Sequence, residues 1–495
     1  MESRGKPFKL TLPKDRTWLF VVANGVLIAM RFVAAAFLPL YFGDEPYYWL
    51  WSRHLAWGYY DHPPAVAVLI RAGTALFGDT EFGVRFVGLA LSVPTTLCVW
   101  RTGSLLLGGT ENGARAALFF NLTLQATIQT FTATPDAAAL ACSAAFIWAL
   151  AELTNSGNGR WWLVTGLFAG LGLLAKYTVL CVGAGAVFWL VLTKDGRAWL
   201  KTPWPWLGGT IAGLLFAPNL IWNAANGWGT VAFQFGRIVT SDQHWWYLPE
   251  LVVEQSIFAS PLIADLAVRG LWRTTQSKDG KHLLIASLLW PSIIFFTIHA
   301  LHDRVHRNWP DIIYPALAVA AAYAFHNQLG PRILRSGAVP VAVLILVVAY
   351  GLVLFRLVPL DRIDLPNQQV ASGMKDVVAP IARVVSLTGA RGIVTMDFAT
   401  TAWLRFYLSS PIPVMQLNDE FRYPYAPRPT AWELGGTLIY VSPDVNSDVL
   451  PLLKIRFSTV EPLEDALRQD DGISGSPFYF YRLSGYQGEP VGRAP

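Results

Sequence analysis

The chain has 495 residues, 53% of them hydrophobic and 14% charged. A soluble domain carries about 25% charged residues, so this composition and a mean hydropathy of +0.39 exclude an ordinary soluble enzyme and point to a polytopic membrane protein. The net charge of +5 comes with no nucleic-acid motif and reads as a topology signal.

Apolar runs predict about eleven membrane spans, at 17–41, 82–106, 114–132, 134–152, 161–175, 177–193, 204–222, 248–268, 283–301, 311–327 and 337–357. The first run follows basic residues, as in a signal peptide. It is too long and lacks a small-residue cleavage site, so a retained helix is expected. Basic residues gather on one side: Arg4, Lys6, Lys9, Lys14 and Arg16, then Lys194, Arg197 and Lys201, then Arg269, Arg273, Lys278 and Lys281, then Arg332 and Arg335. That asymmetry predicts an inside N-terminus. The opposite loops, 43–81, the turn around Asp136, 223–247 and 302–310, then lie outside and hold the reactive side chains. Cys98, Cys142 and Cys181 sit in apolar runs and read as small buried hydrophobes.

Beyond residue 357 the pattern changes. "GIVTM", "PIPVMQL", "GTLIYVS" and "PFYFYRL" predict short strands, and "TTAWLRFYL" and "NSDVLPLLKIR" predict helices. The expected division is a membrane core over 1–357, with 43–81 as its first outer loop, and a small extramembrane α/β domain over 358–495.

Asp44 and Glu45 stand together in "YFGDEPYYWLWSRHLAWGYYDHPP". Asp44 reads either as a helix N-cap or as a general base whose pKa is raised among aromatic walls. Helical neighbours point about 100° apart, so one acid reacts while the other caps or orients. Asp61 and His62 close the stretch before two prolines, as a surface hydrogen bond or as a phosphate or metal contact. Tyr60 and the other rings suit stacking on a sugar. Asp136 in "TATPDAAAL" opens a span, as a cap or as a further acid. Lys176 in "LLAKYT" either snorkels or holds an anionic headgroup.

"LHDRVHRNWPDIIYP" brings Arg304, His306, Arg307, Asn308 and Trp309 to the same side, and Arg237 and His244 add to this set. Arginine forks suit phosphate. Cations for a leaving phosphate, a carboxylate for an acceptor hydroxyl and rings for a sugar together fit transfer from a lipid-linked phosphate. The alternative is a lipid-linked-sugar flippase or a non-catalytic lipid-binding protein. No nucleotide, zincin or serine-hydrolase motif stands in a convincing setting. Asp44, Glu45, Asp61 and His62 offer ligands for a divalent metal, at a spacing that is not diagnostic; no other cofactor is indicated.

"GDEPYYWLWSRHLAWGYYDHPP", "TPDAAAL", "GLLAKYT", "APNLIWNAANGW" and "HRNWPDIIYPAL" resemble, in that order, bacterial membrane glycosyltransferases of the dolichyl-phosphate-mannose–protein mannosyltransferase group, which includes the aminoarabinose and galacturonic acid transferases of lipid A. The resemblance covers about 17–330. It implies a GT-C fold and a cavity at the outer leaflet. It further implies inverting transfer from a polyprenyl-phosphate sugar to lipid A, lipopolysaccharide core or another envelope acceptor, in the inner membrane and facing the periplasm. Asp44 then matches the catalytic aspartate, Glu45 the acid beside it, and Asp136 an acid of the second outer loop. At Asp61–His62 the aminoarabinose enzymes carry an acid and a lysine. Here histidine replaces the lysine, so Lys176 or Arg307 is expected to supply charge.

Overall fold

The computed structural model describes residues 17–239, 244–355, 374–408, 411–443, 449–470 and 473–488, with the side chains of 237–239, 374, 420, 467–470 and 473–476 excepted. The basic residues Arg4 to Arg16 and the side chain of Arg237 therefore lie outside the described residues.

The membrane region is helical throughout. It begins with α1 (Thr17–Phe37), α2 (Asp44–Arg53), α3 (Ala65–Phe77), α4 (Glu81–Leu107), α5 (Thr110–Asn121) and α6 (Leu124–Phe131). It continues through α7 (Pro135–Ser156), α8 (Trp161–Leu173), α9 (Val179–Leu192), α10 (Lys194–Trp199), α11 (Trp204–Ala225) and α12 (Gly229–Val239). It ends with α13 (Tyr247–Phe258), α14 (Pro261–Thr275), α15 (Gly280–Ala300), α16 (Tyr314–His326) and α17 (Arg332–Phe355).

Each apolar run falls on helix, but not each is one straight crossing. Among the described residues α1, α4, α7, α15 and α17 are long and apolar enough to span a membrane. The run at 248–268 is two helices, α13 and α14, bent by 108° and a sixth crossing if they count as one. Ser260 makes that bend, with φ at +66° directly before Pro261. The run at 114–132 breaks into α5 and α6, where Thr123 caps α6 by accepting from the Ala126 amide at 3.2 Å.

Two charged positions within the predicted spans have polar partners, one buried and one exposed. Arg31 of α1 is fully buried and donates to the Asn121 carbonyl at 3.1 Å and to Thr127 Oγ1 at 3.3 Å. Asp265 accepts from Arg269 Nε one turn later, at 2.6 Å. The three cysteines are free and half-buried.

The C-terminal unit is built on a six-stranded mixed sheet. Its elements are α18 (Val378–Thr388), β1 (Gly392–Thr395), α19 (Phe398–Tyr407), β2 (Val414–Gln416), α20 (Ala431–Leu434), β3 (Leu438–Ser442), α21 (Val449–Arg456), β4 (Phe457–Pro462), β5 (Ala466–Asp470) and β6 (Ile473–Tyr486). The strand order is β2-β1-β3-β6-β4, with β5 paired to β6. β1 is parallel to β2 and β3, while β6 runs antiparallel to β3, β4 and β5.

Strand alternation divides the core into two. Ile393, Ile439 and Val441 pack with Ile381, Trp403 and Phe480 on one face. Val394, Leu438 and Tyr440 pack with Met415, Leu453 and Phe457 on the other. Both faces are covered, so β1 and β3 are buried at every position and not only at alternate ones. The four strands expected from sequence are present. β4 and β5 are additional strands, unmarked in the sequence because "FSTVEP" and "ALRQD" carry too many polar residues to look like strands.

This unit is packed on the first loop through rings. Tyr47, Trp51, Ala402 and Tyr423 share one core. Tyr47 lies 5.1 Å from Phe398, and Trp49 lies 5.0 Å from Phe406. The Leu40 amide donates to the Tyr407 hydroxyl at 3.0 Å.

Candidate active site

Asp44 begins α2, but it does not cap it. Gly43 holds the N-cap position with φ at +99°, and no side-chain cap bond forms. A positive φ of that size favours glycine, and it turns the chain so that Asp44 becomes the first residue of the helix. The Asp44 carboxylate is half-buried and makes no hydrogen bond or ion pair with the described residues. Burial, with Asp136, Asp61 and Glu45 close by, pushes its pKa up to about 7, and Arg422 opposes the rise.

Glu45 points in a different direction, about 100° round the helix from Asp44. It is fully buried against Arg85 of α4, which donates to it from Nε at 2.8 Å and Nη2 at 2.5 Å. The amides of Tyr41 and Ala133 donate to it at 2.5 and 2.8 Å. Glu45 thus ties the first loop to α4 and to the turn before α7, and its acceptor sites are taken.

Asp61 is buried at the end of the same loop. The Tyr47 hydroxyl donates to it at 2.6 Å, and Arg422 of the C-terminal unit forms an ion pair with it. Gln234 of α12 donates to the Asp61 carbonyl. The guanidinium of Arg422 also lies against Phe398 at 4.7 Å and Tyr60 at 5.3 Å.

Asp136 is likewise not a cap; Thr134 holds that position of α7. Asp136 is ion-paired with Lys176, and Asn308 Nδ2 donates to it at 3.0 Å. Lys176 also donates to the Asn308 carbonyl at 2.9 Å and lies 3.9 Å from Asp311. The lysine does not snorkel: it is buried in the turn between α8 and α9, held by two loops.

Next to these residues is a cavity of about 100 Å³ lined by His62, Lys176, Tyr177, Gln234, Asn308 and Trp309, among others. Half of the expected site therefore converges: Asp44, Asp61, His62, Asp136, Lys176, Asn308 and Trp309. Arg307 is close to Tyr41, beside Asp44, and its guanidinium lies over Phe258. Other expected residues stand elsewhere. Arg304 is exposed and pairs with Glu250 of α13. His306 is exposed with its ring 5.2 Å from Trp309, and His244 is exposed beside Tyr247. Among the described residues no three His, Cys, Asp or Glu side chains gather as metal ligands. Asp61, Asp136 and Glu45 are each taken by a cation instead.

Sequence reading missed Arg85, Asp311 and Arg422. Arg85 sits inside a predicted span, where a charge signals a buried partner. Asp311 is the first residue of the predicted span 311–327, where an acid reads as part of the span's end. Nothing local marks Arg422, whose partner is 361 positions away.

Residues 61–222 match the family described as dolichyl-phosphate-mannose-protein mannosyltransferase. A lipid A galacturonosyltransferase, RgtD, of Rhizobium johnstonii is 27% identical over 61% of this chain and 66% of its own length. An undecaprenyl phosphate-alpha-4-amino-4-deoxy-L-arabinose arabinosyl transferase of Sodalis glossinidius is 27% identical over 50% of this chain and 47% of its own. The chain thus spans about two thirds of the one relative and half of the other. The crystal structure of ArnT from Cupriavidus metallidurans bound to undecaprenyl phosphate superposes with a TM-score of 0.65 at 17% identity, over 96% of this chain and 100% of that one. The apo form gives 0.60 at 19% identity, over 95% and 99%. Over 61–222 the chain is thus similar in sequence to this family, and over nearly its whole length it shares the fold of the two ArnT structures.

Proposed function

We propose that this protein moves a sugar from a polyprenyl-phosphate donor to an envelope glycolipid, lipid A or lipopolysaccharide core. The reaction takes place at the periplasmic face of the inner membrane. The observation that carries this reading is the division of labour among the acids. Glu45, Asp61 and Asp136 are each bound to a cation. Asp44 is left half-exposed and without a partner among the described residues, with its pKa pushed up to about 7. A carboxylate with a pKa near the working pH is suited to general-base work. Asp44 takes the proton of the acceptor hydroxyl as that oxygen attacks the sugar carbon. The bond to the lipid phosphate breaks in the same displacement, so the configuration inverts.

Lys176, His62 and Asn308 form the polar wall of the cavity, and Arg307 stands nearby. They meet the departing phosphate, whose charge grows as the bond breaks. Trp309, Tyr177 and Tyr60 offer ring faces for the sugar and the first prenyl units. The relatives support this reading through the lipid A and undecaprenyl phosphate in their names and the undecaprenyl phosphate bound to one solved structure. We propose further that residues 358–495 form a periplasmic domain over this cavity.

The test is transfer by the purified protein and its Asp44→Asn variant, supplied with undecaprenyl-phosphate sugars and lipid A and followed by mass spectrometry of the lipids. Loss of transfer in the variant, with its fold intact, is expected. Equal activity in both removes Asp44 from the mechanism. Movement of the donor across a bilayer without transfer selects the flippase reading instead.

A further inference from the structure

Arg422 joins three segments that are far apart in sequence. It forms an ion pair with Asp61 of the first loop, and both side chains are largely buried, at 15% and 9% exposure. Its guanidinium lies 4.7 Å from the Phe398 ring, 5.6 Å from Phe421, 5.3 Å from Tyr60 and 5.5 Å from Phe233 of α12. Lysine would satisfy the charge but not the stacking.

The acid it grips is anchored on three sides. Asp61 takes the Tyr47 hydroxyl on its other oxygen, and Gln234 holds its carbonyl. The next residue, His62, lines the cavity with Lys176 and Asn308. The His62 carbonyl accepts from the Tyr59 amide at 3.1 Å, which folds the segment 59–62 into a closed turn. Pro63 and Pro64 follow and stiffen its exit. The turn therefore has little freedom of its own, and Arg422 fixes its open side.

We propose that Arg422 is a positioning residue through which the C-terminal unit shapes the cavity: by clamping Asp61 it holds the Asp61–His62 turn, and so the wall that meets the phosphate of the lipid-linked donor. This rests on the donor class proposed above. It makes the C-terminal unit part of the donor site and not an appendage over it.

The experiment is binding of undecaprenyl phosphate to the full-length protein in detergent, by native mass spectrometry. The variants are Arg422→Gln, Arg422→Lys, Asp61→Asn and the double Asp61→Asn/Arg422→Gln, each checked for its unfolding temperature. Arg422→Gln is expected to weaken binding about tenfold, as for one buried contact of about 1.4 kcal/mol. Arg422→Lys should fall between it and the parent. The double variant should be no weaker than the worse single, because both break one link. Should a sugar-loaded donor be turned over, the loss should appear in KM for the donor more than in kcat. Unchanged binding in Arg422→Gln, or single effects that add in the double, overturns the clamp while the donor reading stands. No binding by the parent protein overturns the donor reading, and the clamp with it. A loss of fold in Arg422→Gln passes the decision to Arg422→Lys and Asp61→Asn, which must both weaken binding.

Discussion

Glu45 and Arg85 form a two-point ion pair in which both side chains are 0% exposed. The pair closes the first loop onto α4, and two backbone amides complete the carboxylate's shell. Breaking one partner of such a pair strands a buried charge, at a cost of about 3–5 kcal/mol. Glu45→Gln and Arg85→Met are each expected to lower the unfolding temperature sharply in detergent. The double variant should recover much of the loss. A Glu45→Gln protein as stable as the parent would contradict the structural role given to this acid.

Asp44 is expected to behave in the opposite way. Its pKa stands raised from 3.8 to about 7, so the folded state holds the proton more firmly than the unfolded chain. Its contribution to stability therefore falls as pH rises from about 4 through about 7. Asp44→Asn should be at least as stable as the parent at pH 8, with the gap closing toward pH 4. Transfer should rise with pH through about 7 in the parent, as the base form appears. In the variant it should drop by about 10²–10⁴-fold. Melting curves and initial rates across pH check both signs.

Gly43 offers a milder lesion at the same place. A methyl group there would meet Ala399 Cβ at 3.5 Å, an ordinary contact, so the cost comes from φ at +99°. Gly43→Ala should lose about 1–2 kcal/mol and reduce transfer by turning Asp44 off its axis. Gly25→Ala, inside α1 with nothing within 4 Å, is the control and should leave transfer unchanged without lowering stability. Equal melting temperatures for all three proteins would refute the strain.

Lys176 answers two carboxylates at once, Asp136 and Asp311. Lys176→Met should destabilise by about 3–5 kcal/mol, and adding Asp136→Asn should restore part of the loss, since Asp311 remains. Thermal unfolding of the single and double variants measures the coupling. No recovery in the double would mean that the lysine acts through its packing and not its charge.

Much of this was legible in the sequence, for identifiable reasons. Apolar runs mark helices because a bilayer admits little else, and each expected run falls on one. Their breaks were less visible: Ser260 bends a run by 108° with a backbone angle that composition does not encode. Asp44, Asp136 and Lys176 stood out because charges flank apolar segments there. Their roles did not, because a cap and a partnered acid look alike until Gly43 and Thr134 are seen to hold the cap positions. Arg304 and His244 looked equivalent to Arg307 in charge. Only the path of the 302–310 loop sends Arg304 out to Glu250 and Arg307 in toward Tyr41.

The ring-lined seam between α2 and α19 has a consequence for exchange between relatives. Tyr47, Trp49 and His54 fit Phe398, Phe406 and Tyr425 as one set of shapes. A chimera that grafts the C-terminal unit of one protein onto the membrane region of another splits this set, along with a salt link whose ends lie 361 positions apart. Such grafts should work when the two ends are taken from the same parent and fail when they are mixed. Two distant stretches of the chain thus work as one matched part.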